Sequence, residues 1–100
     1  MLVKIFIKRR FKKGKVNEIR ALLKEFRSGA MNQPGYVSGE TYVSYDDPQD
    51  VVVIGTWASM ESWEAWRKNP ARKEFEEMLA IYQEQPTEYQ RYVLGAPLET

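Results

Sequence analysis

Apolar and polar positions alternate at the start of the chain, which predicts a strand over residues 2–11. Val3, Ile5 and Ile7 share one face of this strand, and long basic side chains occupy most of the other face. We expect the apolar face to lie under helices. Apolar residues then recur at helical spacing from residue 16 to about residue 31, which predicts the first helix.

Two further strands are predicted in the middle of the chain. Residues 36–45 alternate cleanly, with Val37 and Thr41 on the face opposite Tyr36. A loop of turn-forming residues then leads into residues 51–54, an uninterrupted β-branched run. Such a run is typical of a strand that is covered on both faces. The two strands and their short loop predict a hairpin.

All three tryptophans fall within ten residues, at the end of the predicted strand and in the helical region that follows it. Ser59 stands where its hydroxyl can cap a helix that carries Trp63 and Trp66 on one face. Asn69 and Pro70 then predict the start of another helix, because proline needs no hydrogen-bond donor at the first helical position. This region therefore predicts two consecutive helices with a sharp corner between them.

The remaining elements complete one predicted domain over residues 1–100. The last helix is expected to reach about residue 85, and a final strand over residues 89–94 precedes a short tail. The order βαββαβ predicts an α+β, ferredoxin-like fold, a four-stranded antiparallel sheet with helices on one face. A bare sheet face that carries aromatic residues favours pairing with an identical sheet, so we expect a homodimer.

The chain has neither cysteine nor histidine. This composition excludes disulfides, thiolate catalysis and the commonest metal and haem ligands, so we expect no cofactor and no metal site. No apolar run approaches the roughly 20 residues that span a bilayer, and the charge order at the start is the reverse of a signal peptide. We expect a cytoplasmic protein without a membrane partner.

The net charge of +1 conceals a basic first quarter, because ten of the fifteen Lys and Arg residues lie within residues 1–27. The RNA-recognition fold shares the predicted topology, so the cluster around Lys8, Arg9 and Arg10 makes RNA binding an alternative. A net charge near zero argues against a basic surface that binds the phosphate backbone strongly, and we therefore expect no nucleic-acid partner. Solvated cations at a strand end, near acidic helices, are the simpler interpretation.

From Trp57 the sequence reads W-x-S-x-x-x-W-x-A-W, and N-P-x-R follows from Asn69 to Arg72. Together with the strand before it, this pattern resembles the antibiotic biosynthesis monooxygenase superfamily of dimeric α/β barrels, and the resemblance covers nearly the whole chain. It implies a ferredoxin-like protomer, a homodimer and a pocket between sheet and helices. The superfamily includes cofactor-free oxygenases of aromatic polyketides, quinol oxygenases and haem-degrading enzymes.

Several positions depart from what the resemblance implies. Members similar to quinol oxygenases carry histidine at the positions of Trp66 and Ala71. Haem-degrading members share the tryptophan at Trp66, but they carry asparagine at the position of Ile7 and an iron-ligating histidine at the position of Glu76. Haem binding therefore ranks behind a cofactor-free reaction.

The candidate site combines one aromatic and several polar side chains. Trp66 would stack on a flat aromatic substrate, with simple core packing as the alternative. Glu76, four residues after Arg72, would act as a base while Arg72 orients an anionic substrate oxygen. The alternative for this pair is a solvated ion pair. The predicted substrate pocket comprises Ile7, Leu23, Trp66, Arg72, Phe75 and Tyr82.

The predicted function is cofactor-independent monooxygenation of a small aromatic compound of phenolic, quinol or anthrone type. The bound substrate anion would itself reduce O₂, so the protein need only position it, lower its pKa and exclude water. A dimeric module that binds a small molecule without turnover is the alternative, because a fold does not fix a function.

Overall fold

A computed structural model describes residues 1–95 of the chain. Its elements are β1 (Val3–Arg10), α1 (Val16–Met31), β2 (Tyr36–Val43), β3 (Asp50–Trp57), α2 (Met60–Arg67), α3 (Pro70–Ala80) and β4 (Glu88–Val93). The strands form one antiparallel sheet in the order β2-β3-β1-β4. This arrangement confirms the predicted ferredoxin-like fold. Most of the predicted tail lies outside the described residues.

The starts of α2 and α3 confirm both predicted helix caps. The Ser59 hydroxyl accepts a hydrogen bond of 3.1 Å from the Ser62 backbone N–H, and α2 begins directly after it. The Asn69 side-chain oxygen accepts one of 2.9 Å from Ala71, and Pro70 occupies the first turn of α3. The two caps produce the corner that separates the helices.

The end of α3 differs from the prediction, because the helix ends at Ala80 and not near residue 85. The chain beyond it pairs with the continuation of β1. The Lys12 N–H donates to the Tyr82 carbonyl at 2.7 Å, and the Glu84 N–H donates to the Arg10 carbonyl at 2.9 Å. These backbone groups already have partners in distant parts of the chain, so they cannot extend the helix.

The first residues of β2 also correct the sequence interpretation. A bulge between Tyr36 and Ser38 adds one residue to the strand. Tyr36 therefore turns toward the helices and contacts Trp57 edge-to-face, with 5.4 Å between ring centroids. Val37 was predicted to share the face of Thr41 but is 51% exposed. A bulge changes which face each residue joins, and alternation in sequence does not reveal it.

The core lies between the sheet and the three helices and includes the predicted apolar face of β1. The opposite sheet face carries Phe6, Val52, Ile54 and Tyr92, with Phe6 and Tyr92 in edge-to-face contact at 5.1 Å. In the single chain β3 is therefore covered on one face, whereas the sequence predicted both. None of the helices in residues 1–95 is long and apolar enough to cross a membrane.

Candidate functional site

A cavity of about 60 Å³ lies between the helix-facing side of the sheet and helices α1 and α2. Its polar side chains are Arg9, Arg27 and Thr41, together with the hydroxyl end of Tyr36. The remaining wall is almost entirely aromatic and aliphatic, which suits a flat apolar ligand. The apolar side chains that line it are Ile7, Leu23, Phe26, Ala30, Val53, Trp57, Trp63 and Trp66.

Two glycines on neighbouring strands make room for the polar ends of two aromatic side chains in the cavity wall. Gly39 of β2 pairs with Gly55 of β3. A Cβ atom on Gly39 would lie 2.7 Å from the Tyr36 hydroxyl, and one on Gly55 would lie 3.2 Å from Nε1 of Trp57. The polar ends of these two aromatic side chains therefore lie over the glycine pair, and they can do so because neither glycine carries a side chain.

The Trp66 indole forms part of the opposite wall and is buried. It contacts Phe26 edge-to-face, with 6.2 Å between ring centroids. Gly29 of α1 makes room for it, because a Cβ atom there would lie 3.1 Å from the indole ring. A glycine inside a helix is locally unfavourable, and here the contact with Trp66 explains its presence.

Arg9 brings a buried positive charge to the cavity wall. It continues the alternation of Val3, Ile5 and Ile7 along β1 and is only 5% exposed. Its guanidinium group lies 5.3 Å from the centroid of the Phe26 ring, a favourable cation–π distance. Its Nε has no hydrogen-bond partner among residues 1–95. A buried charge is costly unless it is fully compensated, so this guanidinium group can still accept an anionic partner.

Glu76 binds both Arg9 and a second buried arginine, Arg72. One of its oxygens accepts hydrogen bonds from Arg9, from Arg72 at 3.4 Å and from the Tyr89 hydroxyl at 3.2 Å. The Thr87 hydroxyl donates to the other oxygen at 3.2 Å. Two buried guanidinium groups therefore share one carboxylate, which leaves an excess of positive charge between the cavity and α3.

The structure brings three of the predicted pocket residues together and separates the others. Ile7, Leu23 and Trp66 line the cavity. Phe75 lies behind it and stacks on Phe26 at 5.2 Å, and Tyr82 packs against the core without reaching the cavity.

The predicted pair of Arg72 and Glu76 is present. Arg72 is buried and the Glu76 side chain is 20% exposed, so the pair is not the fully solvated ion pair of the alternative interpretation. Neither residue lines the cavity. Arg9 is the basic residue that lines the cavity and is hardly exposed, whereas the sequence interpretation placed it in a solvated cluster of cations. Its position two residues after Ile7 was the available signal, because alternate residues of a strand share a face.

The comparison with protein families agrees with this architecture. The family model described as antibiotic biosynthesis monooxygenase matches residues 2–78. The chain belongs to this family. No curated protein matches the chain.

Solved structures of similar fold cover nearly the whole chain. A conserved protein from Methanosarcina mazei Go1 has a TM-score of 0.86 and 20% identity, and the match covers 92% of this chain and 91% of that one. A putative antibiotic biosynthesis monooxygenase from Nitrosomonas europaea has a TM-score of 0.86 and 14% identity, covering 98% and 94%. SnoaB, a cofactor-independent oxygenase from Streptomyces nogalater, has a TM-score of 0.84 and 14% identity, covering 99% and 98%. At these identities the likeness demonstrates a shared fold.

Proposed function

We propose that this protein is a homodimeric, cofactor-independent monooxygenase that oxidises a small aromatic compound of phenolic, quinol or anthrone type. The observation that carries the proposal is the incompletely paired Arg9 guanidinium group in the wall of an aromatic cavity. The structural likeness to SnoaB, a cofactor-independent oxygenase, supports the same reaction class. Fold alone does not determine activity, and the chemistry of the cavity supplies the further support.

The cavity favours the deprotonated form of an aromatic ligand. Trp57, Trp63 and Trp66 offer flat surfaces against which a ring can pack. No carboxylate lines the cavity within residues 1–95, whereas Arg9 does. A nearby cation stabilises an anion and lowers the pKa of the group that forms it. The site therefore promotes loss of a proton from a bound phenol or from an acidic ring methylene.

The bound anion supplies all the electrons that the reaction needs. With an anthrone-type methylene, the carbanion reduces O₂ and a hydroperoxide forms at that carbon. Loss of water then leaves a carbonyl group, so one oxygen atom enters the product and the other leaves as water with the two methylene hydrogens. The protein binds the ring, stabilises its anion and excludes bulk water.

Trp66 and Glu76, the two predicted catalytic residues, have separate roles in this proposal. Trp66 packs against the ring of the substrate. Glu76 already accepts hydrogen bonds from Arg9 and Arg72, so we assign it to positioning Arg9 and assign proton acceptance to a water molecule. Its predicted role as the base stays a prediction that a pH profile of the Glu76→Gln variant can test.

Substrate entry requires side chains to move. An engineered cavity of about 150 Å³ holds benzene, and the cavity here is smaller, at about 60 Å³. Arg27 of α1 is exposed and donates a hydrogen bond to the Gly39 carbonyl of the edge strand β2. This contact bridges the gap between α1 and the sheet beside the cavity. Release of Arg27 would open the cavity on this side, because Arg27 and Gly39 both line it.

The uncovered sheet face supports the dimer. Phe6, Val52, Ile54 and Tyr92 form an apolar patch there, and β3 contributes the same β-branched run that predicts coverage on both faces. A second copy would cover this patch. Analytical ultracentrifugation of wild type and Phe6→Lys should show a dimer and a monomer, respectively. A monomeric wild type would contradict the homodimer.

Oxygen consumption tests the proposed reaction. A panel of quinols and anthrones under ¹⁸O₂ should give uptake with at least one of them, and one labelled atom per product molecule. Arg9→Met and Trp66→Ala should lose this uptake, whereas Arg20→Met, which removes an exposed arginine of α1, should keep it. Absence of uptake on every compound would contradict the proposal.

A dimeric binding module is the second candidate. The absence of a lining carboxylate among the described residues favours it, because no side chain of the usual type stands ready to take the proton. This function predicts that aromatic ligands bind in the cavity with no oxygen uptake. Oxygen uptake with the same panel, together with ligand binding measured by tryptophan fluorescence, distinguishes the two functions.

A further inference from the structure

A second concave site lies at the β4 edge of the sheet, between α2, α3 and β4. This cleft has a volume of about 710 Å³ and is open to solvent. It shares only the Trp63 side chain with the aromatic cavity. The residues that line it are Trp63, Glu64, Arg67, Arg72, Lys73, Tyr89 and Arg91.

The cleft carries a clear excess of positive charge. Within residues 1–95, its lining contains four cationic side chains and one carboxylate, that of Glu64. Glu64 lies 2.9 Å from Arg67 and 3.5 Å from Arg91. The hydrogen bond from Arg67 holds the pKa of Glu64 below its ordinary value, so this carboxylate is charged at neutral pH. It compensates only part of the positive charge around it.

Arg72 lies at the base of the cleft and is 3% exposed. Its guanidinium group lies 5.0 Å from the Trp63 ring and 5.4 Å from the Tyr89 ring, and it donates to the Tyr89 hydroxyl at 3.0 Å. Its Nε has no partner in residues 1–95. Its ion-pair partner in the described part of the chain is Glu76, which Arg9 shares. Arg72 is thus a buried cation, enclosed by aromatic rings, whose charge is incompletely neutralised.

We infer that this cleft binds the oxyanion of a small ligand, a carboxylate or a phosphate, with Arg72 as its central contact and Arg67 and Arg91 at its rim. A guanidinium group offers several donors in one plane, which matches two oxygens of either anion. The anion would complete the charge balance of Arg72. This site is separate from the proposed oxygenase cavity, so either assignment can fail without the other.

Titration with inorganic phosphate and with acetate, neither of which has a ring that the aromatic cavity could bind, tests the inference and separates the two anions. Ionic strength is held constant with chloride, and the indole N–H signal of Trp63 is followed by NMR, because this side chain lines the cleft. A saturable shift with one of the anions is expected, and the anion that binds more tightly identifies the ligand class. No saturable shift with either anion would overturn the inference.

Variants at the rim test whether the cleft is responsible. The double variant Arg67→Gln, Arg91→Gln should weaken binding by about tenfold or more, because it removes two charge-assisted contacts. The matched control is Arg20→Gln, Lys24→Gln, which removes two exposed cations from α1 and should leave the dissociation constant unchanged. Equal weakening in both double variants would reduce the effect to general electrostatics and overturn the site.

Glu64→Gln supplies a test with the opposite sign. Glu64 competes with an incoming anion for Arg67 and Arg91. Its removal should therefore tighten binding of the same probe anion. Unchanged or weaker binding would contradict the proposed geometry, because an anion seated between these arginines must feel the Glu64 charge.

Discussion

Arg9 and Arg10 are consecutive residues of β1 and occupy opposite environments. The alternation of the strand turns Arg9 toward the helices, where it is 5% exposed and shares one carboxylate with Arg72. Arg10 turns to the other side, and its partners are Asp47 at 2.7 Å, Asp50 at 3.0 Å and Glu84 at 3.1 Å. These acidic neighbours, Asp47 first, raise the pKa of Arg10.

The difference shows that a count of charges along the sequence does not describe a site. The positive charge of Arg10 is more than balanced by its neighbours, and solvent screens those interactions. The charge of Arg9 is less than balanced, and burial strengthens every interaction it makes. The incompletely compensated positive charge at Arg9 is the basis of the proposed function, so the first tests change this charge or the carboxylate that compensates it.

The largest effect is expected from Glu76→Gln. This change leaves Arg9 and Arg72 buried without their shared carboxylate, and breaking a buried ion pair costs about 3–5 kcal/mol. Urea denaturation should show that loss in the free energy of unfolding. The control Glu77→Gln, on the exposed side of α3, should stay within about 0.5 kcal/mol of wild type. Equal stability of the two variants would mean that the buried charge of Arg9 does not need Glu76 to compensate it.

Arg9→Met should weaken ligand binding while preserving stability. Glu76 keeps Arg72 as an ion-pair partner in this variant, so the change leaves neither of these two charges without an opposite charge. Loss of the charge-assisted contact should weaken binding of 4-nitrophenolate by about tenfold. Arg10→Met should leave binding unchanged. Titration by fluorescence quenching measures both, and a similar loss in the two variants would contradict the distinction between them.

Gly55→Ala sharpens the comparison, because it changes another part of the cavity that Arg9 lines without altering any charge. The new methyl group would lie 3.2 Å from Nε1 of Trp57, so the indole must shift. We expect about 1 kcal/mol of destabilisation from overpacking and weaker binding of the aromatic anion. If Arg9→Met weakens binding and Gly55→Ala does not, the ligand contacts Arg9 from outside the cavity.

The smallest effect is expected at the exposed cluster, and it depends on pH. The hydrogen bond from Arg10 lowers the pKa of Asp47 in the folded state. Its contribution to stability is therefore present above the unfolded pKa of about 3.9 and is lost as pH falls through the folded value. Asp47→Asn should lower the urea midpoint slightly at about pH 7 and have no effect in strong acid. Asp46→Asn, in the same loop, is the control at both pH values.

Local features of the sequence predicted most of the fold. Ser59 and Asn69 fix the starts of two helices through contacts with residues two or three positions away, which the sequence displays directly. The end of α3 depends on hydrogen bonds between residues 82–84 and the end of β1, far apart in sequence. A pattern of apolar residues contains no information about such partners, so the helix was predicted too long.

The site was predictable in part for the same reason. Trp66 followed from its helical position and from the family resemblance. The placement of Tyr36 and Trp57 in the cavity wall depends on Gly39 and Gly55 meeting across two strands, which requires the register of the sheet. The burial of Arg9 was accessible from the alternation that placed Ile7, but the neighbouring Lys8 and Arg10 favoured the interpretation as a solvated cluster.

The most direct test of the central claim is the pKa of a phenol bound in the cavity. The absorbance of 4-nitrophenol distinguishes its neutral and anionic forms, so a pH titration with saturating protein reports this pKa. The account predicts that wild type lowers it below the value in water, and that Arg9→Met removes the shift while Arg10→Met keeps it. An unchanged or raised pKa in wild type would contradict the claim that Arg9 stabilises an aromatic anion.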